Sequence, residues 1–170
     1  MDEFPYLDGS SNDAKINEAN TYFQKAYKCQ MKGDFQEAVA NYNLSIECCP
    51  SAEAFTFLGW TYSMMGRLSD AIEECKKAIK TDNTFGNPYN DIGAYLIEMG
   101  RFDEAIPWLK KAMKAERYEP RHFPHVNLAR VYVLKGNFIA AINHLKKSLE
   151  IEPNNPSAKK ELNKLLSKLN

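Results

Sequence analysis

The sequence lacks long apolar runs and net charge. No stretch approaches the roughly 20 apolar residues that a membrane-spanning helix needs, so we predict no membrane span. The 22 basic and 22 acidic side chains cancel, which argues against the positive field that attracts nucleic acid. The first residues, MDEFPYLDGSSND, are acidic and polar, unlike a secretory signal peptide. We therefore expect a cytoplasmic protein that does not bind nucleic acid.

Side chains that could carry out chemistry are also scarce. Cys48 and Cys49 are adjacent, which suits neither a zinc knuckle nor a redox pair, and the cysteines are expected to be free thiols. His122 and His125 form an H-x-x-H pair, but no third ligand for a metal is evident. The motifs of phosphate-binding loops and serine hydrolases do not occur. We predict no metal, no cofactor and no catalytic residue.

The balanced total charge hides an uneven distribution along the chain. Residues 1–18 carry five acidic side chains and a single lysine, whereas residues 156–170 carry four lysines and a single glutamate. We interpret these biases as two solvated ends.

The prominent positive feature is an internal repeat. A glycine followed by an aromatic residue or leucine and then by alanine occurs in four segments, at spacings of 33, 34 and 36 residues: KGDFQEA, MGRLSDA, MGRFDEA and KGNFIAA. The glycines of these segments are Gly33, Gly66, Gly100 and Gly136.

Helical patterns flank each of these glycines. Phe55, Leu58, Gly59 and Tyr62 form one apolar stripe before Gly66, and similar stripes precede the other glycines. After each glycine, an alanine and a later small residue mark one face of a second helix. The pattern around each glycine therefore predicts two antiparallel helices joined at that glycine. Such helix pairs must stack to bury their apolar faces.

These motifs resemble the tetratricopeptide repeat family over residues 19–155. The resemblance implies an all-α fold, a right-handed α-solenoid of four antiparallel helix pairs, with repeats at 19–51, 52–85, 86–121 and 122–155. Residues 156–170 read as a capping helix with leucines on one face and lysines on the other. Residues 1–18 are expected to be an acidic, flexible segment. Two extra residues near ERYEPRH lengthen the third junction.

The stretch FTFLGWTYSMMGRL carries a second apolar stripe, Phe57, Trp60 and Met64, beside the repeat stripe. In the family, concave-facing residues occupy fixed positions on the first helix of each repeat. The resemblance places Gln30 and Asp91 there too, and it gives this set of candidate peptide-binding residues: Phe23, Tyr27, Met31, Phe57, Trp60, Met64, Asn87, Asn90, Phe123, Asn127 and Arg130.

The resemblance implies a non-catalytic scaffold or adaptor that binds a peptide or protein segment in an apolar concave groove. The lysine-asparagine clamp of chaperone-tail receptors does not match, and Asp91 would repel a carboxylate. Alternatives are simple packing between repeats, self-association, or occupation of the groove by the tail residues Phe4, Tyr6 and Leu7. A further alternative is a small cytoplasmic chaperone like those of bacterial secretion systems.

Overall fold

The computed structural model describes the backbone of residues 9–169 and the side chains of residues 12–168. Over this range the chain forms helices and no β-strand, and the all-α prediction is confirmed. No helix in the described range is long and apolar enough to cross a membrane. The helices are α1 (Gly9–Lys32), α2 (Phe35–Cys48), α3 (Ala52–Met64), α4 (Leu68–Thr81), α5 (Asn87–Glu98), α6 (Phe102–Ala112), α7 (His122–Leu134), α8 (Phe138–Ile151) and α9 (Pro156–Leu169).

The repeated glycines end the first helix of each pair. All four have a positive φ, from 73° to 86°, which side chains with a Cβ adopt only at a cost. At Gly66, the amide of the glycine donates to Ser63 and the next amide, of Arg67, donates to the Tyr62 carbonyl at 2.9 Å. This is a Schellman cap, and it stops each first helix while satisfying its last carbonyls.

The chain divides into two compact units, residues 1–81 and 82–170, called here unit 1 and unit 2. In unit 1, α1 packs on α2, α2 on α3, and α3 on α4. In unit 2, α5 packs on α6, α7 on both α6 and α8, and α8 on α9. Each unit thus contains the stacked helix pairs that the repeat pattern predicts.

Small residues set the distance between the helices of a pair. A Cβ added at Gly59 would lie 2.9 Å from the Ala71 carbonyl oxygen and 3.2 Å from Cys75 Sγ. Ala71 itself is fully buried, as are the equivalent alanines of the other pairs, Ala38, Ala105 and Ala141. The repeated small residues therefore indicate close packing between the two helices of a pair.

The first helix begins well before Ala19, the predicted start of the first repeat. Residues 9–18 are helical and continuous with the rest of α1, and residues 12–18 are exposed. Their polar sequence gives no apolar periodicity, but extending an existing helix requires no new nucleus. The repeat boundaries themselves remain predictions.

The last helix packs through one side. Ala158 and Leu165 of α9 are buried in the cluster formed with α7 and α8, whereas its lysines are exposed. The Asn155 side chain accepts a hydrogen bond from the Ala158 amide at 3.0 Å and so caps the start of α9.

The lengthened junction of unit 2 has its own local structure. Phe85 and Arg117 form an isolated parallel bridge, in which the Gly86 amide donates to the Arg117 carbonyl at 2.9 Å. The Arg117 guanidinium also pairs with Asp82. Arg121 donates to the carbonyls of Met113, Ala115 and Glu116, which satisfies backbone groups beyond the end of α6.

Candidate functional site

Six of the predicted residues lie together in unit 1. We call them the aromatic-methionine surface: Phe23, Tyr27 and Met31 of α1 with Phe57, Trp60 and Met64 of α3. Met31 is 48% exposed, Met64 is 44% exposed and Trp60 is 37% exposed. Large apolar side chains that are this accessible on two neighbouring helices form an exposed apolar patch.

Phe57 is the centre of this surface. Its ring meets Phe23, Tyr27 and Trp60 edge to face, at centroid distances of 5.1, 5.8 and 5.8 Å. Its ring also lies 6.2 Å from that of Tyr42, which is fully buried in α2. Edge-to-face contacts fix ring orientation, so the exposed Tyr27 and Trp60 are anchored to the core through Phe57.

A buried amide supports the methionine side of the surface. Gln30 is only 1% exposed, which corrects its predicted place on the open face. Its Oε1 accepts a hydrogen bond from the Tyr42 hydroxyl at 2.7 Å, and its Nε2 lies 3.6 Å from Met64 Sδ. Burial raises the pKa of Tyr42 further above neutral pH, where a tyrosine hydroxyl is protonated and can donate. Helical periodicity did not reveal the contacts of Gln30 with Tyr42 and Met64, because they join α1 to other helices.

The corresponding face of unit 2 is polar. The Asn127 amide on α7 donates to Asn90 Oδ1 on α5 at 3.0 Å, and the Asn90 amide lies 3.4 Å from Asp91 Oδ1. Burial raises the pKa of Asp91 to about 7, so its carboxyl group is partly protonated at neutral pH. Asn87 is partly buried at the start of α5. These groups offer hydrogen bonds rather than apolar anchors.

The remaining predicted residues of unit 2 lie on α7. Phe123 is exposed and its ring lies 4.1 Å from that of His122. Arg130 is exposed and lines a cleft of about 530 Å³ together with residues of α8 and α9. The lysines of α9 that share this cleft were interpreted from the sequence as a solvated end.

His125 pairs with His144 of α8 rather than with His122 of the H-x-x-H motif. His125 Nδ1 lies 3.0 Å from His144 Nδ1 on α8, and the Tyr132 ring stacks on His144 at 5.5 Å. Desolvation lowers the pKa of both imidazoles, that of His144 to about 4. Among the residues that the structure describes, no group of three His, Cys, Asp or Glu side chains could hold a metal ion.

Phe4, Tyr6 and Leu7, the tail residues named as possible occupants of the groove, lie outside the described residues.

Two family models match this chain. Both are described as tetratricopeptide repeat, and they cover residues 52–85 and 85–153, together more than half of the chain. The protein belongs to the tetratricopeptide repeat family. The resemblance inferred from the sequence is thus confirmed, and the stacked helix pairs of each unit are its α-solenoid architecture.

Sequence relatives are longer than this chain. It is 28% identical over 152 residues to the type IV pilus assembly protein PilF of Pseudomonas aeruginosa. This match covers 88% of this chain and 60% of the relative. It is 26% identical over 106 residues to small glutamine-rich tetratricopeptide repeat-containing protein 2 of Mycosarcoma maydis, covering 62% of this chain and 30% of the relative. The chain therefore spans less than two thirds of either protein.

Solved structures share the same architecture. That of Pseudomonas aeruginosa PilF matches with a TM-score of 0.84 and 26% identity, covering 91% of this chain and 70% of that chain. A crystal structure of MamA matches with a TM-score of 0.72 and 26% identity, covering 88% of this chain and 81% of that chain. Tetratricopeptide relatives support a protein-interaction scaffold as the general role of this chain.

Proposed function

We propose that this protein is a non-catalytic scaffold or adaptor that binds a peptide or protein segment on the aromatic-methionine surface. The observation that carries the proposal is the anchored cluster around Phe57, which holds Trp60 and Tyr27 in place while leaving them accessible. Residues held in position before binding lose little conformational freedom when a ligand arrives. Such a surface is suited to a ligand with apolar anchor residues.

The mixture of residue types supports binding of varied apolar side chains. Tryptophan and tyrosine dominate binding energy at many interfaces, and methionine adapts its shape to different partners. Met31 and Met64 belong to the same surface as the aromatic rings, and Gln30 Nε2 lies 3.6 Å from Met64 Sδ. The rigid part would supply affinity and the methionines would tolerate variation in the ligand.

We propose that unit 2 carries polar recognition groups of its own. Asn90 and Asn127 already hydrogen-bond to each other, yet each amide retains further donor or acceptor capacity. An extended peptide presents both backbone donors and acceptors, which such amides can pair with. Asn87 and Phe123 are further proposed ligand-binding residues of unit 2, and Arg130 lines the cleft between α7 and α9.

A peptide-display selection tests the proposal, because it finds ligands in a random library. Peptides selected on the wild-type protein would be measured against Trp60→Ala by isothermal titration calorimetry. We expect affinity to fall by about 30-fold, since truncating a central aromatic anchor costs about 2 kcal/mol.

Leu44→Ala is the matched control. Leu44 lies on α2, and its exposed fraction, 39%, is close to the 37% of Trp60. We expect it to leave affinity unchanged. Selected peptides that bind Trp60→Ala and the wild type equally would contradict the proposal, provided circular dichroism shows both proteins to be folded.

The chaperone role stays an alternative within this proposal. Both roles use an exposed apolar surface, but a chaperone would bind unfolded chains with little sequence preference. Peptides without a shared pattern, together with suppressed aggregation of chemically denatured citrate synthase, would favour the chaperone over the adaptor.

The proposed location is the cytoplasm, where thiols remain reduced. No disulfide joins Cys29, Cys48, Cys49 and Cys75 in the described part of the chain, which supports the proposal of a reducing compartment. Fractionation of cells that express the natural gene, followed by immunodetection, tests the location.

A further inference from the structure

The cleft between α7 and α9 is a second apolar surface, and it shares no residue with the aromatic-methionine surface. Its volume is about 530 Å³, within the usual range of ligand pockets. Val126, Val133 and Leu134 of α7 belong to the apolar part of its lining, together with Ala129, Leu145 and Ala158. Leu134 is among the more exposed apolar side chains of unit 2. We call this cleft the α7–α9 groove.

Basic side chains surround this apolar lining. Arg130 of α7 and Lys160 and Lys164 of α9 line the groove, and Glu161 is the acidic side chain among its lining residues. Lys164 Nζ lies 3.5 Å from the Glu161 carboxylate. No acidic side chain in the described part of the chain forms an ion pair with Arg130 or Lys160. The groove therefore favours an occupant that is both apolar and acidic.

The sequence of this protein contains a segment with that composition. Residues 1–8, MDEFPYLD, carry three carboxylates, at Asp2, Glu3 and Asp8, and no basic side chain. Between the carboxylates lie Phe4, Tyr6 and Leu7. Neither this acidic segment nor the basic end of the chain has a part in the scaffold function proposed above.

We propose that residues 2–8 of one copy of the protein bind in the α7–α9 groove of a second copy. The carboxylates pair with Arg130 and Lys160, and the aromatic and leucine side chains cover Val133 and Leu134. Donor and acceptor are different surfaces, so the contact is heterologous and links copies head to tail. The resulting assembly would present several copies of the aromatic-methionine surface, which raises avidity for a multivalent partner.

A synthetic peptide of residues 1–9, labelled at its C-terminus, tests the groove directly. Fluorescence anisotropy would measure its binding to the full-length protein. We expect micromolar affinity that weakens at least tenfold between 50 and 500 mM salt, since opposite charges provide much of the attraction. No binding up to millimolar protein would overturn the proposal.

Charge reversal locates the binding site. We expect Lys160→Glu to weaken peptide binding at least tenfold. Lys159→Glu makes the same change of charge on the neighbouring residue, which does not line the groove, and should leave the affinity within twofold. Equal effects of the two substitutions would overturn the assignment. Loss of binding in Trp60→Ala with retention in Lys160→Glu would also overturn it, by placing the peptide on the aromatic-methionine surface.

A scrambled peptide separates specific docking from attraction of any acidic chain. The scrambled version of residues 1–9 keeps the charge and composition but changes the order of the apolar side chains. We expect it to bind at least fivefold more weakly. Equal affinity would overturn the assignment of this segment and point to acidic peptides in general.

Sedimentation velocity of the full-length protein tests whether a second copy provides the segment. We expect association that grows with concentration for the wild type, is lost in Lys160→Glu, and persists in Lys159→Glu. A protein that binds the peptide but remains monomeric at all concentrations would overturn the second-copy proposal. None of these results depends on whether the aromatic-methionine surface binds its own ligand.

Discussion

The two units place different residues at the same repeat position. Nine residues before the turn glycine stand Gln24 and Phe57 in unit 1, and Asp91 and Asn127 in unit 2. Phe57 holds a network of four aromatic rings, whereas Asp91 and Asn127 belong to a polar group with Asn90. The helix pairs around them use the same turn glycines and buried alanines. The repeat thus holds the backbone constant while the surface chemistry varies.

The largest difference between the units should appear on truncating these equivalent residues. We expect Phe57→Ala to lower the free energy of unfolding by about 3 kcal/mol, because it removes a half-buried ring and its aromatic contacts. Asn127→Ala should cost about 1 kcal/mol, through one lost hydrogen bond. Urea unfolding followed by circular dichroism measures both. Equal losses would show that the aromatic network is not a packing centre.

The shared turns should respond alike. We expect Gly66→Ala in unit 1 and Gly100→Ala in unit 2 each to cost about 1 to 2 kcal/mol, because alanine is strained at positive φ. No atom lies within 4 Å of an added Cβ at either position, so the cost would be conformational rather than steric. Thermal unfolding of the two variants measures it. A cost more than twice as large in one unit would contradict equivalent turns.

The polar face of unit 2 should become more stable when Asp91 is neutralised. The folded state raises the pKa of Asp91 from 3.8 to about 7. As pH rises through this window, the unfolded chain loses the Asp91 proton first, and the stability of the folded state therefore falls. We expect Asp91→Asn to stabilise the protein by about 1 kcal/mol at pH 8, with a smaller gain at pH 5.

Glu98→Gln is the control for this prediction, because Glu98 is an exposed acid on the same helix. Urea unfolding midpoints at the two pH values compare the variants. A destabilising effect of Asp91→Asn at pH 8 would mean that the ionised carboxylate is favourable in the folded state.

The smallest effect concerns the histidine pair of unit 2. Burial lowers the pKa of both His125 and His144 from the usual 6.5, that of His144 to about 4, so the unfolded chain takes up protons first. The pair's contribution is therefore present above pH 6.5 and is lost as pH falls towards 4. Lys147 opposes protonation of both rings, Lys110 opposes that of His144, and Glu150 favours that of His125.

We expect the loss to be below about 1 kcal/mol, since both rings are partly solvated. His144→Gln should reduce the slope of melting temperature against pH between 6.5 and 4, whereas His122→Gln, outside the pair, should not. Identical slopes in wild type and His144→Gln would show that the pair does not sense pH in this range.

Sequence periodicity predicted the helix pairs because each repeat restates the same local signals. Gly66 and its equivalents require positive φ, and Gly59 requires close packing, so each residue type follows from its immediate surroundings. The family's repeat register also brought Phe23, Tyr27 and Trp60 to one surface, although their role in binding remains a prediction. The start of α1 was missed, since residues 9–18 lack an apolar stripe.

Contacts between helices were harder to predict. Gln30 has the polarity of a surface residue, yet it is buried because Tyr42 provides a hydrogen-bond partner from α2. His144 pairs with His125, nineteen residues away, and periodicity within one helix does not report such pairs. The lysines of α9 are exposed, as the sequence predicted, and Lys160 and Lys164 also line a groove with α7, which the sequence did not reveal.

The sequence by itself determined the repeat, the turns and the apolar stripes, because each depends on residues within one helix pair. Only the tertiary structure decided that Phe57 joins four rings, that Gln30 supports Met64, and that α9 forms a basic groove with α7. These features depend on how side chains from different helices fill the space between them, and that space exists only after the helices have packed.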